Sequence, residues 1–302
     1  MDQIEQVREM LAGLIGGPDT PFMERRAQSE AFAAAFVSPP GVRIEQSVLG
    51  GIPVEWIVPE GADNAPILFH LHGGGYVLGN PAGSRPFTTA FALQTSARVV
   101  SVDYRLAPEH PFPAAVDDSV AAYRGLLETV TPNRIAIGGE SAGGGLAVSA
   151  MLAARFESLP LPSSAVLISP WTDLTCTAKT FNTKAYVDPL LTRRALKEMA
   201  DAYVPEASAR SPFASPLFGD LAGLPPMLIH VGSEEVLLDD AKDLHKRAVR
   251  HGVESQIEIW HRMIHVWHMF HPMLAEGDVA IRKLAQFARA HWKEEGRRVW
   301  GV

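Results

Sequence analysis

Two glycine-rich stretches carry residues whose types and spacing could do chemistry. Gly139-Glu140-Ser141-Ala142-Gly143 follows the apolar run Arg134 to Ile137 and precedes a stretch of small, helix-forming residues. A serine held between glycines on a tight strand-to-helix turn has its Oγ aimed outward, where it can act as a nucleophile. The backbone N–H of Ala142, directly after it, would then face a developing oxyanion. His72-Gly73-Gly74-Gly75-Tyr76 ends a second apolar run, Ile67 to Leu71. Glycines there let further backbone donors approach the same oxygen. The two glycine patterns that cradle nucleotide phosphates, G-x-x-x-x-G-K-S/T and G-x-G-x-x-G, are both missing.

A serine nucleophile needs a base and an acid. His72 precedes the serine in the chain and reads as a brace for the glycine loop. Downstream, His261, His265, His268 and His271 cluster after the run Gln256 to Trp260. His261 and His265 share a helical spacing, but there is no H-E-x-x-H and no carboxylate among these positions, so no metal is expected. The base belongs on a loop after the last strand; His265 is the expected residue and His268 its competitor. The acid should follow the preceding apolar run, Met227 to Val231. Glu234, Glu235, Asp239 and Asp240 compete for that role, although Asp239 and Asp240 also read as the acidic first turn of the next helix.

The elements that must position these groups follow from periodicity. Ile4, Val7, Met10, Leu11 and Leu14 recur at helical spacing, and a second helical stretch runs from Pro21 to Val37. Val42–Val48 and Ile52–Val58 alternate apolar and polar around Gly50-Gly51, which predicts an antiparallel hairpin. Short apolar runs then alternate with helices: Ile67 to Leu71, Arg98 to Val102, Arg134 to Ile137, Ala165 to Ile168, Met227 to Val231 and Gln256 to Trp260. The helices between them are Ser84–Gln94, Ala114–Val130, Ala142–Glu157, Arg193–Tyr203, Asp239–His251 and Val279–Lys293. Continuous apolar strands, each followed by a helix, predict an α/β fold with a mostly parallel sheet covered on both faces. Leu174 to Phe218 breaks this rhythm and reads as an insertion.

Composition bounds the rest. A chain of 302 residues, 47% of them hydrophobic, has a core to bury without disulfides. Counting 27 Lys+Arg against 34 Asp+Glu gives −7, with no basic stretch, which opposes a nucleic-acid partner. The one cysteine, Cys176, cannot form an internal disulfide, and it reads as a small buried hydrophobe. Apolar runs such as Ala31 to Val37 are too short to span a bilayer, so no stable membrane association is expected. Met1 to Leu14 lacks the basic and apolar blocks of a signal peptide, and a cytoplasmic location is expected.

Taken together, these residues resemble the bacterial hormone-sensitive-lipase-like (family IV) esterases of the α/β-hydrolase fold. The resemblance rests on His72-Gly73-Gly74-Gly75, on Asp103-Tyr104-Arg105-Leu106-Ala107-Pro108-Glu109-His110-Pro111-Phe112-Pro113-Ala114-Ala115, on the turn around Ser141, on Ser169-Pro170-Trp171-Thr172-Asp173 and on Met263-Ile264-His265. It covers nearly the whole chain. It implies an eight-stranded, mostly parallel sheet flanked by helices. The core would be residues 41–173 and 219–302, and a helical cap would come from residues 1–40 and 174–218. It also implies hydrolysis of short- to medium-chain carboxylic esters by a serine esterase without a cofactor, an amidase or lactonase on the same triad being the alternative and a non-catalytic binding protein the remote one. Carried over, Ser141 is the nucleophile and His265 the base. Gly74, Gly75 and Ala142 supply the oxyanion N–H groups, and Gly73 shapes their loop. The family's acid in the form G-x-x-D-x-L falls on Glu235, one methylene longer than the usual Asp. Glu140 likewise stands where Asp is usual, and Val266-Trp267 where Gly-Phe is common. Glu140 and Tyr76 are the candidate substrate contacts, and the Tyr104 to Ala115 stretch is expected to fix the loop under the site. Apolar cap residues between Phe22 and Phe36 and between Ala185 and Tyr203 are expected to line the acyl pocket. The resemblance also allows a homodimer, with Gln256 to Trp260 as its edge.

Overall fold

The structure is a computed structural model that describes residues 2–14, 20–34 and 39–293. Two helices come first, α1 (Gln3–Leu14) and α2 (Phe22–Ala34). Alternating residues on either side of Gly50-Gly51 then form the hairpin of β1 (Val42–Leu49) and β2 (Ile52–Pro59). The apolar run that follows becomes β3 (Ile67–Leu71), buried at every position because both of its faces are covered.

From there strands and helices alternate. α3 (Arg85–Thr95) leads to β4 (Arg98–Val102), α4 (Ala114–Leu127) to β5 (Ile135–Glu140), and α5 (Ala142–Phe156) to β6 (Ser164–Ile168). After the insertion come β7 (Met227–Gly232), α8 (Leu238–Arg250), β8 (Ser255–Trp260) and α9 (Ala275–His291). The eight strands lie in the order β1-β2-β4-β3-β5-β6-β7-β8. β2 runs antiparallel to both of its neighbours, and every other pairing is parallel. β8 forms one edge of the sheet. α9 begins four residues earlier than its apolar spacing predicts, since Leu274 is already buried and Glu276 and Asp278 suit a helix N-terminus.

Two cores lie on opposite faces of the sheet. Ile67, Phe69 and Leu71 of β3 pack with α4, α5 and α8, whereas Leu68 packs with α3 and α9, as the pleat requires. A third cluster joins Ile4, Val7 and Leu11 of α1 to Met263, Ile264 and Trp267, the loop that carries His265. α2 is tied down by Arg26, which donates to the carbonyls of Val77 and Ala107 and pairs with Glu109.

The insertion holds α6 (Thr180–Thr183) and α7 (Arg193–Tyr203). Thr192 caps α7 by accepting from Ala195 N at 3.1 Å, and Leu196, Met199, Ala200 and Tyr203 form its buried stripe. Its last residues return to the core, with Leu217 N donating to Thr172 O at 3.2 Å. No helix among the described residues is long and apolar enough to cross a membrane.

Candidate active site

β5 ends at Glu140 and α5 begins at Ala142, so Ser141 alone makes the turn, with φ 58° and ψ −123°. A side chain in that backbone region costs on the order of 1–3 kcal/mol and persists only where its surroundings hold it. Here Ser141 N donates to Ile168 O at 2.8 Å, while Ser141 O accepts from Trp171 N at 2.9 Å and Gly145 N at 3.2 Å. Gly143 is required by closeness: a Cβ there would stand 2.0 Å from Leu71 O, where the first turn of α5 crosses the end of β3.

The loop after β8 brings His265 to this turn. His265 Nε2 lies 2.9 Å from Ser141 Oγ, and Nδ1 lies 2.9 Å from Glu235 Oε2. The carboxylate can only accept from Nδ1–H, so a neutral ring presents Nε2 as acceptor for the serine proton. Glu235 is fully buried, and its Oε1 accepts from Ser169 Oγ at 2.7 Å and from Gly232 N at 2.5 Å. The extra methylene is thus folded back so that both oxygens have donors. Ser169 Oγ also accepts from Val266 N at 3.2 Å, which fixes the residue next to the histidine. Val266 has φ 52°, a left-handed conformation that disfavours a β-branched residue and suits the glycine common at this position.

The competing residues are placed elsewhere. His268 is buried against Trp267 and Phe87, with its Nε2 3.1 Å from His230 Nδ1, and burial holds it well below the usual histidine range. His261 is exposed, and His271 donates to Pro86 O. Glu234 pairs with Arg8 and Asp239 with Lys242. Asp240 has a second role besides the helix start expected of it. It does lie in the first turn of α8, but its buried Oδ1 accepts from Thr172 N and Asp173 N, both at 3.0 Å, pinning the entry to the insertion. No group of His, Cys, Asp or Glu among the described residues has the arrangement of a metal site.

The glycine loop closes the other side. His72 stacks on Tyr104 at 4.1 Å and donates from Nδ1 to Gly73 O at 2.7 Å, while Tyr104 O–H donates to His72 O at 2.7 Å. Burial lowers the His72 pKa to about 4, so the ring is a neutral brace. Gly73 N–H is engaged by Glu140 Oε1 at 2.8 Å. Among the described residues, no protein acceptor takes the N–H of Gly74, Gly75 or Ala142. Gly75 has φ +64°, and a Cβ there would stand 2.2 Å from Met199 Sδ, so α7 roofs this loop at contact distance.

Both candidate substrate contacts are placed otherwise. Glu140 is buried, and its two oxygens accept from Gly73 N, Ser84 Oγ at 2.6 Å and His70 Nε2 at 2.7 Å, so it is engaged by the protein itself. Burial pushes its pKa up, but the neighbouring His70 and these three donors outweigh burial and hold it below the usual range. Tyr76 is 1% exposed and stacks on Tyr203 at 4.0 Å, so it packs the glycine loop against α7. Of the expected pocket-lining segments, Met199 and Tyr203 face the loop, Tyr186 is 99% exposed, and Phe36 lies outside the described residues.

Sequence reading missed three groups. Ser169 braces Glu235, and its signal was a small polar residue at the carboxyl end of a strand beside the nucleophile strand. Asp188 of the insertion accepts from Val236 N at 2.9 Å, next to Glu235. His70 of β3 reaches Glu140, and Ser101 of β4 backs His70. A histidine within an otherwise apolar run was the only local trace of that chain.

The chain matches a family described as alpha/beta hydrolase fold over residues 68–269. An acetyl-hydrolase of Streptomyces hygroscopicus is 46% identical over 265 residues, covering 87% of each chain. The crystal structure of EstE5 soaked by p-nitrophenyl butyrate superposes with a TM-score of 0.91 at 44% identity, covering 96% of this chain and 98% of that one. The crystal structure of an esterase from the bacterial hormone-sensitive lipase family gives a TM-score of 0.93 at 40% identity, with 96% and 98% covered. The turn, the glycine loop and the sheet order therefore sit in a chain that belongs to the α/β-hydrolase family, among the esterases of its bacterial hormone-sensitive-lipase branch.

Proposed function

We propose that this carboxylic ester hydrolase acts on short- to medium-chain esters through an acyl-enzyme on Ser141. The observation that carries the reading is the unbroken chain from Ser141 Oγ through His265 to Glu235 beside three backbone donors with no protein acceptor among the described residues. His265 takes the Ser141 proton as Oγ bonds to the ester carbonyl carbon. Glu235 keeps the ring oriented and stabilises the imidazolium. The N–H groups of Gly74, Gly75 and Ala142 receive the carbonyl oxygen as it becomes an oxyanion, each worth roughly 10²–10³ in rate. His265 passes its proton to the leaving alkoxide as the ester C–O bond breaks. Water then adds to the acyl carbon with His265 as base, and Ser141 leaves with a proton restored.

Chain length is argued from the roof. Met199 stands against Gly75 and Tyr203 against Tyr76, so α7 sits directly over the oxyanion loop and favours a short acyl chain. The S. hygroscopicus relative is named an acetyl-hydrolase, and EstE5 was soaked with p-nitrophenyl butyrate. A series of p-nitrophenyl esters from acetate to palmitate tests the reading. The expected kcat/KM peaks at or below octanoate and falls beyond it. A maximum at palmitate, or no turnover of any ester, would overturn it.

A further inference from the structure

Glu140 precedes the nucleophile and yet points away from it, into a buried polar chain that ester hydrolysis as described does not use. Ser101 Oγ lies 2.9 Å from His70 Nδ1, His70 Nε2 lies 2.7 Å from Glu140 Oε2, and Glu140 Oε1 accepts from Ser84 Oγ and from Gly73 N. His70 and Ser101 are fully buried, and Ser84 and Glu140 nearly so. We infer that His70 and Glu140 are positioning residues for the oxyanion hole, acting through the Gly73 peptide. The inference rests on the reading of Gly74 and Gly75 as oxyanion donors.

Gly74 O accepts from Val77 N at 3.1 Å and Leu78 N at 2.8 Å, so the loop is a tight turn whose entry is the Gly73 peptide. Fixing Gly73 N–H on Glu140 sets the plane from which the next two N–H groups project. Because Glu140 is also the last residue of β5, one carboxylate locks the nucleophile's strand to the loop that must receive the oxyanion. His70 holds the far oxygen and stops the carboxylate from rotating. The extra methylene of Glu over the usual Asp is what lets one group span Gly73 N and His70 Nε2.

A carboxylate beside an oxyanion hole opposes the charge that develops there unless donors neutralise it, because a low local dielectric strengthens that repulsion. Three donors converge on Glu140, and His70 is the one supplied from outside the loop and its flank. Glu140 is thus held as a rigid acceptor for Gly73, and the three donors offset part of the field of its charge.

His70→Ala removes the far donor, Glu140→Asp shortens the reach, and His70→Gln restores an N–H donor at similar reach. Each variant is assayed with p-nitrophenyl butyrate per active site titrated by a fluorophosphonate. Each is also assayed for inhibition by an alkyl trifluoromethyl ketone. The ketone carbon bonds to Ser141 Oγ, the serine proton passes to His265, and the ketone oxygen becomes an oxyanion in the hole. The expected result is a kcat lowered about 10- to 100-fold in His70→Ala and Glu140→Asp, with KM within about threefold and the ketone's Ki raised by the same factor as kcat falls. His70→Gln recovers most of both. If His70→Ala does not fold, Glu140→Asp carries the comparison. Unchanged kcat and Ki per titrated site would overturn the inference, as would a fall in kcat without a rise in Ki, or no recovery in His70→Gln. A wild-type enzyme that neither turns over the ester nor takes the fluorophosphonate on Ser141 would overturn the functional reading, and this inference with it.

Discussion

The molecule contains two Ser–His–Glu chains with almost the same bonding. In one, Ser141, His265 and Glu235 are joined by contacts of 2.9 Å each. In the other, Ser101, His70 and Glu140 are joined by contacts of 2.9 Å and 2.7 Å. Each glutamate accepts its histidine on Oε2, and a serine hydroxyl plus a glycine N–H on Oε1. What differs is the far end. Ser141 sits on a strained turn beside N–H groups with no protein acceptor among the described residues, whereas Ser101 lies within β4 with no exposed surface. The ring order is also reversed: His265 offers Nε2 to its serine and His70 offers Nδ1. Triad hydrogen bonding is therefore not enough for catalysis. On the proposed mechanism, backbone strain that aims the hydroxyl outward, and donors waiting for charge, are what separate the Ser141 chain from a structural brace.

Replacing the two serines breaks the comparison most sharply. Ser141→Ala should lower kcat for p-nitrophenyl butyrate by about 10⁴-fold or more, while Ser101→Ala should cost less than about tenfold. Comparable losses in the two variants would mean that Ser101 takes part in the chemistry.

The glutamate ends sharpen it next. Glu235→Gln should lower kcat about 10³- to 10⁴-fold, because an amide cannot favour the tautomer and the imidazolium as a carboxylate does. Asp239→Asn should leave it unchanged, since Asp239 contacts Lys242 and not the histidine. The reverse result would move the acid to the start of α8. Ser169→Ala should cost about tenfold, the loss of one hydrogen bond to a charged group at about 1.5 kcal/mol.

How much of this was legible in the sequence differs between the two chains. β3, β4 and α7 begin and end where the apolar spacing places them, because buried strands and an amphipathic helix are local patterns. Ser141 and its glycines announce themselves because a tight turn restricts which residues can occupy it. Glu235 could be named only through resemblance, since four carboxylates follow β7 within one stretch. The second chain was illegible because it closes across three strands, and nothing local says which partner a buried histidine meets. Glu140 was misread through its adjacency to the nucleophile. The pleat held the correction: Ala136 faces the α3 core while Ile135 and Ile137 face the other, so Glu140, in phase with Ala136, turns toward α3.

A third buried carboxylate tests whether donors offset burial in setting the ionisation of Glu140. Asp240 is as buried as Glu140, but its two N–H donors both fall on Oδ1, and Oδ2 has no partner among the described residues. Burial, unopposed by any histidine, pushes its pKa up to about 8, in the opposite direction to Glu140. The unfolded chain releases this proton at about pH 4, the ordinary aspartate value, whereas the folded one holds it to about 8. Between those values the folded state binds the extra proton, so this group's contribution to stability is complete below about pH 4 and is lost as pH rises toward 8. Asp240→Asn keeps an acceptor for Thr172 N and Asp173 N and does not titrate. Its Tm relative to wild type should rise between pH 5 and pH 8.5 by several degrees, at roughly 2–4 °C per kcal/mol. A Tm difference that stays flat across that range would show that Asp240 ionises normally despite its burial. Burial alone would then no longer account for the contrast with Glu140.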